Sequence, residues 1–349
     1  MTTVRVVFFP LDRQLGIKQA RWSEQVTKQA VWLSGLVTFE QAAEILRRVG
    51  RIEISDSSVW RQAQEWGAEF AAIETAERRL ANALPGQRDV LRRAARSDGP
   101  MGVAMDGSMI HIREEGWKEL KIGCVFDLEV RPTRDHETGD WEDVAHAVRN
   151  SYRAHLGGPD IFGQLVWAEA RRRNWERAID TEVLGDAAAW IWNQALEHFY
   201  DSHQVVDWYH ATEHLAEAAR LLKGEGTQAA KQWYTRRKTM LFQGHAARIA
   251  QELSAAAEEQ PDGAEELEKQ AGYFRNNQHR MNYQEMREGK WLIGSGMVES
   301  GAKQFKTRFT GPGMRWNRSG AQNLIPVRAA VMSRRFDAIW QRAYNSPKS

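Results

Sequence analysis

The sequence predicts an α/β protein in which a long all-helical segment interrupts the sheet-forming core and a helix-turn-helix precedes it. Three observations carry that prediction. Apolar, β-branched runs with glycines between them begin after the breaker cluster Ser97-Asp98-Gly99-Pro100. Strand-like and helix-like stretches then alternate as far as Trp208, as in a partly parallel sheet. From His210 to about Tyr283 strand signals vanish, and Ala, Leu, Glu, Gln, Lys and Arg dominate, with breaks at Gly224 to Gly226 and Pro261-Asp262-Gly263.

Residues 1–37 read as an N-terminal arm. Residues 38–98 read as a helix-turn-helix followed by a helical connector. Thr38 and Gln41 can form a capping box for a helix to Arg48, on which Phe39, Ala42, Ala43 and Leu46 follow helical spacing. After a turn containing Gly50, Asp56 or Ser57 can cap a second helix that runs to about Trp66 and stops at Gly67. This pair would turn Arg61 and Gln62 towards DNA, although any helical hairpin gives the same pattern. Glu69 to Arg96 is the connector.

Residues 99–209 form the first part of the core, with strands over Gly102 to Ile112, Leu120 to Val130, Thr181 to Leu184 and Gln204 to Trp208. Trp141 to Leu156 and Ala187 to Phe199 have helical patterns, and Leu165 to Arg173 fits helix or strand. Residues 210–289 are the helical insertion. Residues 290–349 hold a helix carrying Glu299 and a basic tail.

Composition narrows the class. The mixture, 42% hydrophobic and 27% charged, is that of a globular protein. No apolar run approaches the roughly 20 residues that cross a bilayer. The start has no signal-peptide pattern. A single cysteine, Cys124, excludes disulfides and cysteine zinc sites within the chain and suits a cytoplasmic location. Fifteen tryptophans fill cores or stack on nucleobases. Net charge is only +2, yet residues 302–349 hold ten Lys or Arg against one acid, Asp337, a footprint that suits a polyanion.

Three acids stand out. Asp106 ends an apolar strand ahead of a glycine, where packing explains a carboxylate poorly and a cleft explains it well. Asp186 repeats the arrangement, and as an Asp before a helix it also makes a good cap. Glu299 shares a helix face with Lys303 and Lys306 at i+4 and i+7, which suits a metal ion and a phosphate backbone or a solvated ion-pair stripe. Hard oxygen ligands of this kind favour Mg²⁺ or Mn²⁺, and a pair of such ions assists phosphodiester cleavage. Asp207, His210 and His214 open a further helix. The two histidines have zinc-like spacing, but the pattern is no His-Glu-x-x-His motif, which favours a structural or DNA-contacting role.

Several motifs occur together and in order. They are Val103-Ala-Met-Asp-Gly-Ser, Trp117-Lys-Glu-Leu-Lys-Ile-Gly, Leu184-Gly-Asp-Ala-Ala-Ala-Trp-Ile-Trp, Val206-Asp-Trp-Tyr-His-Ala-Thr-Glu-His-Leu, Gly294-Ser-Gly-Met-Val-Glu-Ser and Gly313-Met-Arg-Trp. From about Pro10 to Ala330 the chain thereby resembles bacterial insertion-sequence transposases of the ISKra type. The resemblance implies an RNase-H-like mixed-sheet core with Asp106, Asp186 and Glu299 as a DDE triad holding two Mg²⁺ or Mn²⁺ ions. It places the first Asp on the first strand, the second just after the fourth, and the Glu on a late helix beyond a helical insertion. It also implies a DNA-reading helix-turn-helix, and Asp207 and His210 as an Asp-x-x-His variant of a Cys-x-x-His motif.

The expected activity is cleavage at element ends followed by strand transfer. Its partners would be double-stranded DNA, as terminal inverted repeats and target, and further copies of the chain assembled on that DNA. Lys303, Lys306, Arg308 and Arg315 would neutralise phosphates. Only nine residues precede Pro10-Leu11-Asp12, fewer than in many relatives of that type, which implies an N-terminally shortened copy. A DNA-binding repressor without catalysis and a nuclease that never joins strands are the competing readings.

Overall fold

A computed structural model of the chain describes residues 22–83, 99–134, 139–260, 263–311 and 313–346. Most of the N-terminal arm, the connector beyond residue 83 and Ser97-Asp98 lie outside the described residues. The chain is a mixed α/β protein that divides into two compact units: Met1–Glu77 with Met109–Lys118 and Gln304–Ser349, and Arg78–Ser108 with Glu119–Lys303. No described helix is long and apolar enough to cross a membrane.

In the first unit, α1 (Glu24–Ser34) leads to α2 (Phe39–Gly50) and α3 (Asp56–Ala81). The Thr38–Gln41 capping box is formed in both directions. Ala30, Leu33, Ala42, Leu46, Ile54 and Val59 close a small core among the three helices. Two expectations need correction. Ser55, rather than Asp56 or Ser57, accepts the Ser58 N–H at the start of α3. Nor does Gly67 stop that helix, which continues to Ala81. A Cβ at Gly67 would lie 2.2 Å from the main-chain oxygen of Asn323, so the glycine is there for a close helix–helix approach. Trp66 stacks on Trp340 at 4.3 Å, joining α3 to the C-terminal helix.

In the second unit, β1 (Met101–Ile112), β2 (Gly116–Arg134), β3 (Trp141–His155), β4 (Thr181–Gly185) and β5 (His203–Val206) build a sheet in the order β3-β2-β1-β4-β5. The tip of the β1–β2 hairpin, Met109–Lys118, belongs to the first unit. β1, β4 and β5 are parallel, whereas β3 runs antiparallel to β2. The helix expected over Trp141 to Leu156 is therefore a strand. A register shift opposite Val125 and Asp127, with Arg149 at φ 52°, throws the alternation out of phase and leaves a helix-like spacing in the sequence. The long ladder with β2 overrides local propensity.

α4 (Pro159–Arg172) and α5 (Ala189–His198) accompany the sheet. Gly163 on α4 lets Gln194 on α5 come close, and the buried Glu169 pairs with Arg153 at 2.9 Å. Helices α6 (Trp208–Lys223), α7 (Gln228–Phe242), α8 (Ala246–Glu259), α9 (Ala264–Asn277) and α10 (Tyr283–Glu288) then follow, as the loss of strand signal predicts. After them come α11 (Gly296–Phe309), α12 (Arg318–Met332) and α13 (Phe336–Asn345).

Candidate metal centre

Register alone brings three aspartates together. Met105 on β1 pairs with Gly185 on β4, and Gly185 pairs with Val206 on β5. The next residue on each chain is Asp106, Asp186 or Asp207. Adjacent parallel strands thus deliver one carboxylate each at the same level. Asp186 and Asp207 follow the last residues of β4 and β5, where α/β sheets place ligands, whereas Asp106, expected to end its strand, lies inside β1 just past its last pairing with β4.

Main-chain hydrogen bonds orient these side chains. Asp106 accepts the N–H of Gly107 at 2.7 Å. Asp186 accepts the N–H of Ala188 at 2.8 Å, so it shapes the turn into α5 as well as standing beside Asp106. Asp207 is fully buried and both of its oxygens are engaged, Oδ1 by the His210 N–H at 2.9 Å and Oδ2 by the Ser295 N–H at 2.5 Å. The segment ahead of α11 is tied down twice more. Trp208 donates its N–H to the Ile293 oxygen at 2.8 Å, and Leu292 donates its N–H to Glu182 at 3.2 Å. These bonds fix the entry of α11, whose first turn carries Glu299.

His210, in the first turn of α6, joins the acids: single ligand atoms of Asp207, His210 and Glu299 all fall within 4.8 Å of one another. Electrostatics describe the same cluster. Burial pushes the Asp106 carboxyl up to about 6; the Gly107 N–H opposes that shift, the charges of Asp186 and Glu299 add to it, and His210 opposes it. Of the two zinc-spaced histidines, His214 has other partners: its Nδ1 lies 2.7 Å from Gln270 and its ring stacks on Tyr273 at 3.6 Å.

Two residues that sequence reasoning passed over belong to this region. Burial and the charges of Asp186, Asp207 and Glu213 push the Tyr273 phenol up, and its hydroxyl has no hydrogen-bond partner among the described residues. Glu182 is fully buried in β4, its carboxyl pushed well above the usual range by burial, with one oxygen unpartnered among the described residues. A Glu within Thr-Glu-Val-Leu-Gly was the available signal for the second; Tyr273 had none.

The cationic candidates separate. Lys303 lies 3.9 Å from Glu299 and is exposed, as are Lys306 and Arg315. Arg61 is exposed and donates to Ser58 Oγ at 3.1 Å; Gln62 is half-buried. Arg308 is not a surface cation. It is 2% exposed, donates to the Ser34 oxygen at 2.7 Å, and lies over the Phe39 ring at 4.8 Å and the Trp316 ring at 5.3 Å, because those apolar neighbours enclose it. Its expected place on an exposed, phosphate-facing surface is corrected: the side chain is enclosed within the first unit, on the wall of a cleft.

A scan of the chain against protein-family models matches none, and a search of curated proteins finds no match.

Proposed function

We propose that the chain cleaves and transfers DNA strands at the ends of an insertion sequence, with Asp106, Asp186 and Glu299 as the metal-holding acids of an RNase-H-like core. The observation that carries this reading is the convergence of carboxylates from three adjacent parallel strands with Glu299 on α11. The positions agree with those implied by the resemblance: β1, the residue after β4, and a late helix preceded by a run of helices.

The donor set fits a hard divalent cation. Burial first, and the carboxylates of Asp186 and Glu299 after it, raise the cost of ionising Asp106, and a cation among them would offset that cost. Asp106, Asp186, Glu299 and the half-exposed His210 would supply the ligand atoms. Asp207, each of whose oxygens accepts one main-chain N–H, orients His210 and the start of α11, and the lone pairs left on those oxygens keep it within reach of the same ion. When bound, two Mg²⁺ or Mn²⁺ ions would stabilise charge on the attacking and leaving oxygens. The protein's own share is to hold these ligands rigidly and to bind duplex through Lys303, Lys306, Arg315, Arg61 and Gln62.

The deciding experiment is Mg²⁺-dependent nicking of a terminal-repeat duplex, followed by joining to a target duplex. Cleavage by the parent that is lost in both Asp106→Asn and Glu299→Gln supports the reading. Equal cutting by the variants sinks the triad, and cutting without joined product reduces the activity to that of a nuclease.

A further inference from the structure

The first unit contains a cleft of about 590 Å³, a volume within the range of small-ligand sites. Its walls combine the aromatic rings of Phe39, Trp60 and Trp316 with the guanidiniums of Arg113, Arg308 and Arg315. Three helices begin on it: α2 behind its cap Thr38, α3 at Asp56, and α12 behind its cap Asn317, which accepts the Gly320 N–H at 2.8 Å. Helix N-termini carry partial positive charge and favour anions. Glu40 and Asp56 also reach the cleft, but both are exposed and fewer than the three guanidiniums. Among the described residues, no carboxylate pairs with Arg113, Arg308 or Arg315.

Arg308 makes this more than a basic patch. The residue is 2% exposed, and its Nη2 has no hydrogen-bond partner among the described residues. Burial without a carboxylate, together with the nearby charge of Arg328, holds the guanidinium down at about 10. A buried donor left unpaired is costly, and a charged oxygen acceptor is its natural complement. The aromatic wall points to the rest of the ligand. Phe39 and Trp316 pack edge-on to each other at 6.0 Å, whereas Trp60, on the same wall, is 44% exposed. In a duplex, base faces are covered by their neighbours and only edges are readable. An indole in a concavity can therefore take only a base that has left the stack.

We infer that this cleft holds one unpaired nucleotide of a DNA strand, its phosphate against the arginines and its base on Trp60. The inference rests on the DNA reading above for the choice of a nucleotide over other aromatic anions. It concerns binding and needs no metal.

The test is fluorescence anisotropy of the full chain in EDTA, with a blunt duplex and the same duplex carrying a short single-stranded 3′ extension. The extension is expected to tighten binding about ten-fold, the size of one base stacked on an aromatic ring. Trp60→Ala should abolish that preference and leave blunt-duplex affinity within about two-fold, while Trp60→Phe should retain most of it. Deoxyadenosine monophosphate should erode the preference at concentrations where inorganic phosphate does not. Equal binding of the two duplexes, or a preference that survives Trp60→Ala, overturns the inference. Equal competition by phosphate reduces the cleft to an anion site, and mononucleotide binding without a tail preference transfers it to a free nucleotide; either result overturns the assignment. A tail preference in a chain that never cuts DNA leaves the inference standing and removes only the catalytic reading.

Discussion

Asp207 Oδ2 accepts the main-chain N–H of Ser295 at 2.5 Å, across 88 residues of sequence and four positions before Glu299. Its other oxygen accepts the His210 N–H. One buried carboxylate thereby sets the start of two helices that bring side chains to the candidate metal centre.

Asp207→Ala should therefore act on geometry before chemistry. Loss of two charge-assisted buried hydrogen bonds is expected to cost about 3 kcal/mol in urea unfolding. Manganese affinity, followed by calorimetry on the folded variant, should fall by about ten-fold or more, as when an orienting residue behind a ligand is lost. Unchanged affinity would return Asp207 to a purely local role.

Asp106 should report cation binding directly. Its carboxyl, pushed up to about 6 chiefly by burial, favours folding when protonated, and that contribution disappears as pH rises through about 6. At pH 8 in EDTA, Asp106→Asn should melt higher than the parent. Adding Mg²⁺ or Mn²⁺ should raise the parent's Tm and leave the variant where it was. A parent Tm that ignores both ions would argue against a metal centre.

Glu182 gives an independent pH signature away from the ligand set. Its folded carboxyl is raised well above the unfolded value by burial, so it stabilises the fold below about pH 4.5 and loses that contribution as pH rises. Relative to the parent, Glu182→Gln should gain stability steadily from acid to neutral pH. A difference that does not change with pH would show that Glu182 stays ionised.

Gly67 and Gly272 make a paired test of packing. An alanine at Gly67 would drive its Cβ to 2.2 Å from the Asn323 oxygen, whereas at Gly272, within α9, it would meet nothing within 4 Å. Gly67→Ala should cost about 1–3 kcal/mol through the forced separation of helices. Gly272→Ala should gain roughly 0.5–1 kcal/mol from helix propensity and a smaller unfolded-state entropy. Thermal melts of the two variants separate these effects.

Lys306 and Arg308, two residues apart on α11, should behave oppositely. Arg308→Ala removes a buried side chain bonded to Ser34 and packed on two rings, and should cost about 2–4 kcal/mol. Lys306→Ala, on an exposed side chain, should leave Tm within about 1 °C yet lower the slope of log affinity against log salt by about one. Loss of stability in the lysine variant would contradict this division.

Local chemistry was readable in the sequence. The Thr38–Gln41 box, the strand that carries Asp106, the strand that ends at Gly185 and the helices from Trp208 onward depend on neighbouring residues, and the chain alone specifies them. Asp106, Asp186 and Glu299 could be singled out for the same reason, although Asp106 lies inside β1 rather than at its end.

What only the tertiary structure decided depends on residues far apart. β3 is a strand because β2 offers it a ladder, and a bulge hides its alternation. Gly67 lies inside a helix because Asn323 needs its space. Arg308 is buried because Phe39 and Trp316 enclose it, so its charge lies within the first unit rather than on the open face the basic tail suggested. Asp207 joins the carboxylates through parallel register, and His210 joins them through its place on the helix that Asp207 caps. Spacing along the chain determines which groups are present, but pairing across a sheet or between helices determines which of them meet. That pairing is set by contacts that no local window of sequence contains.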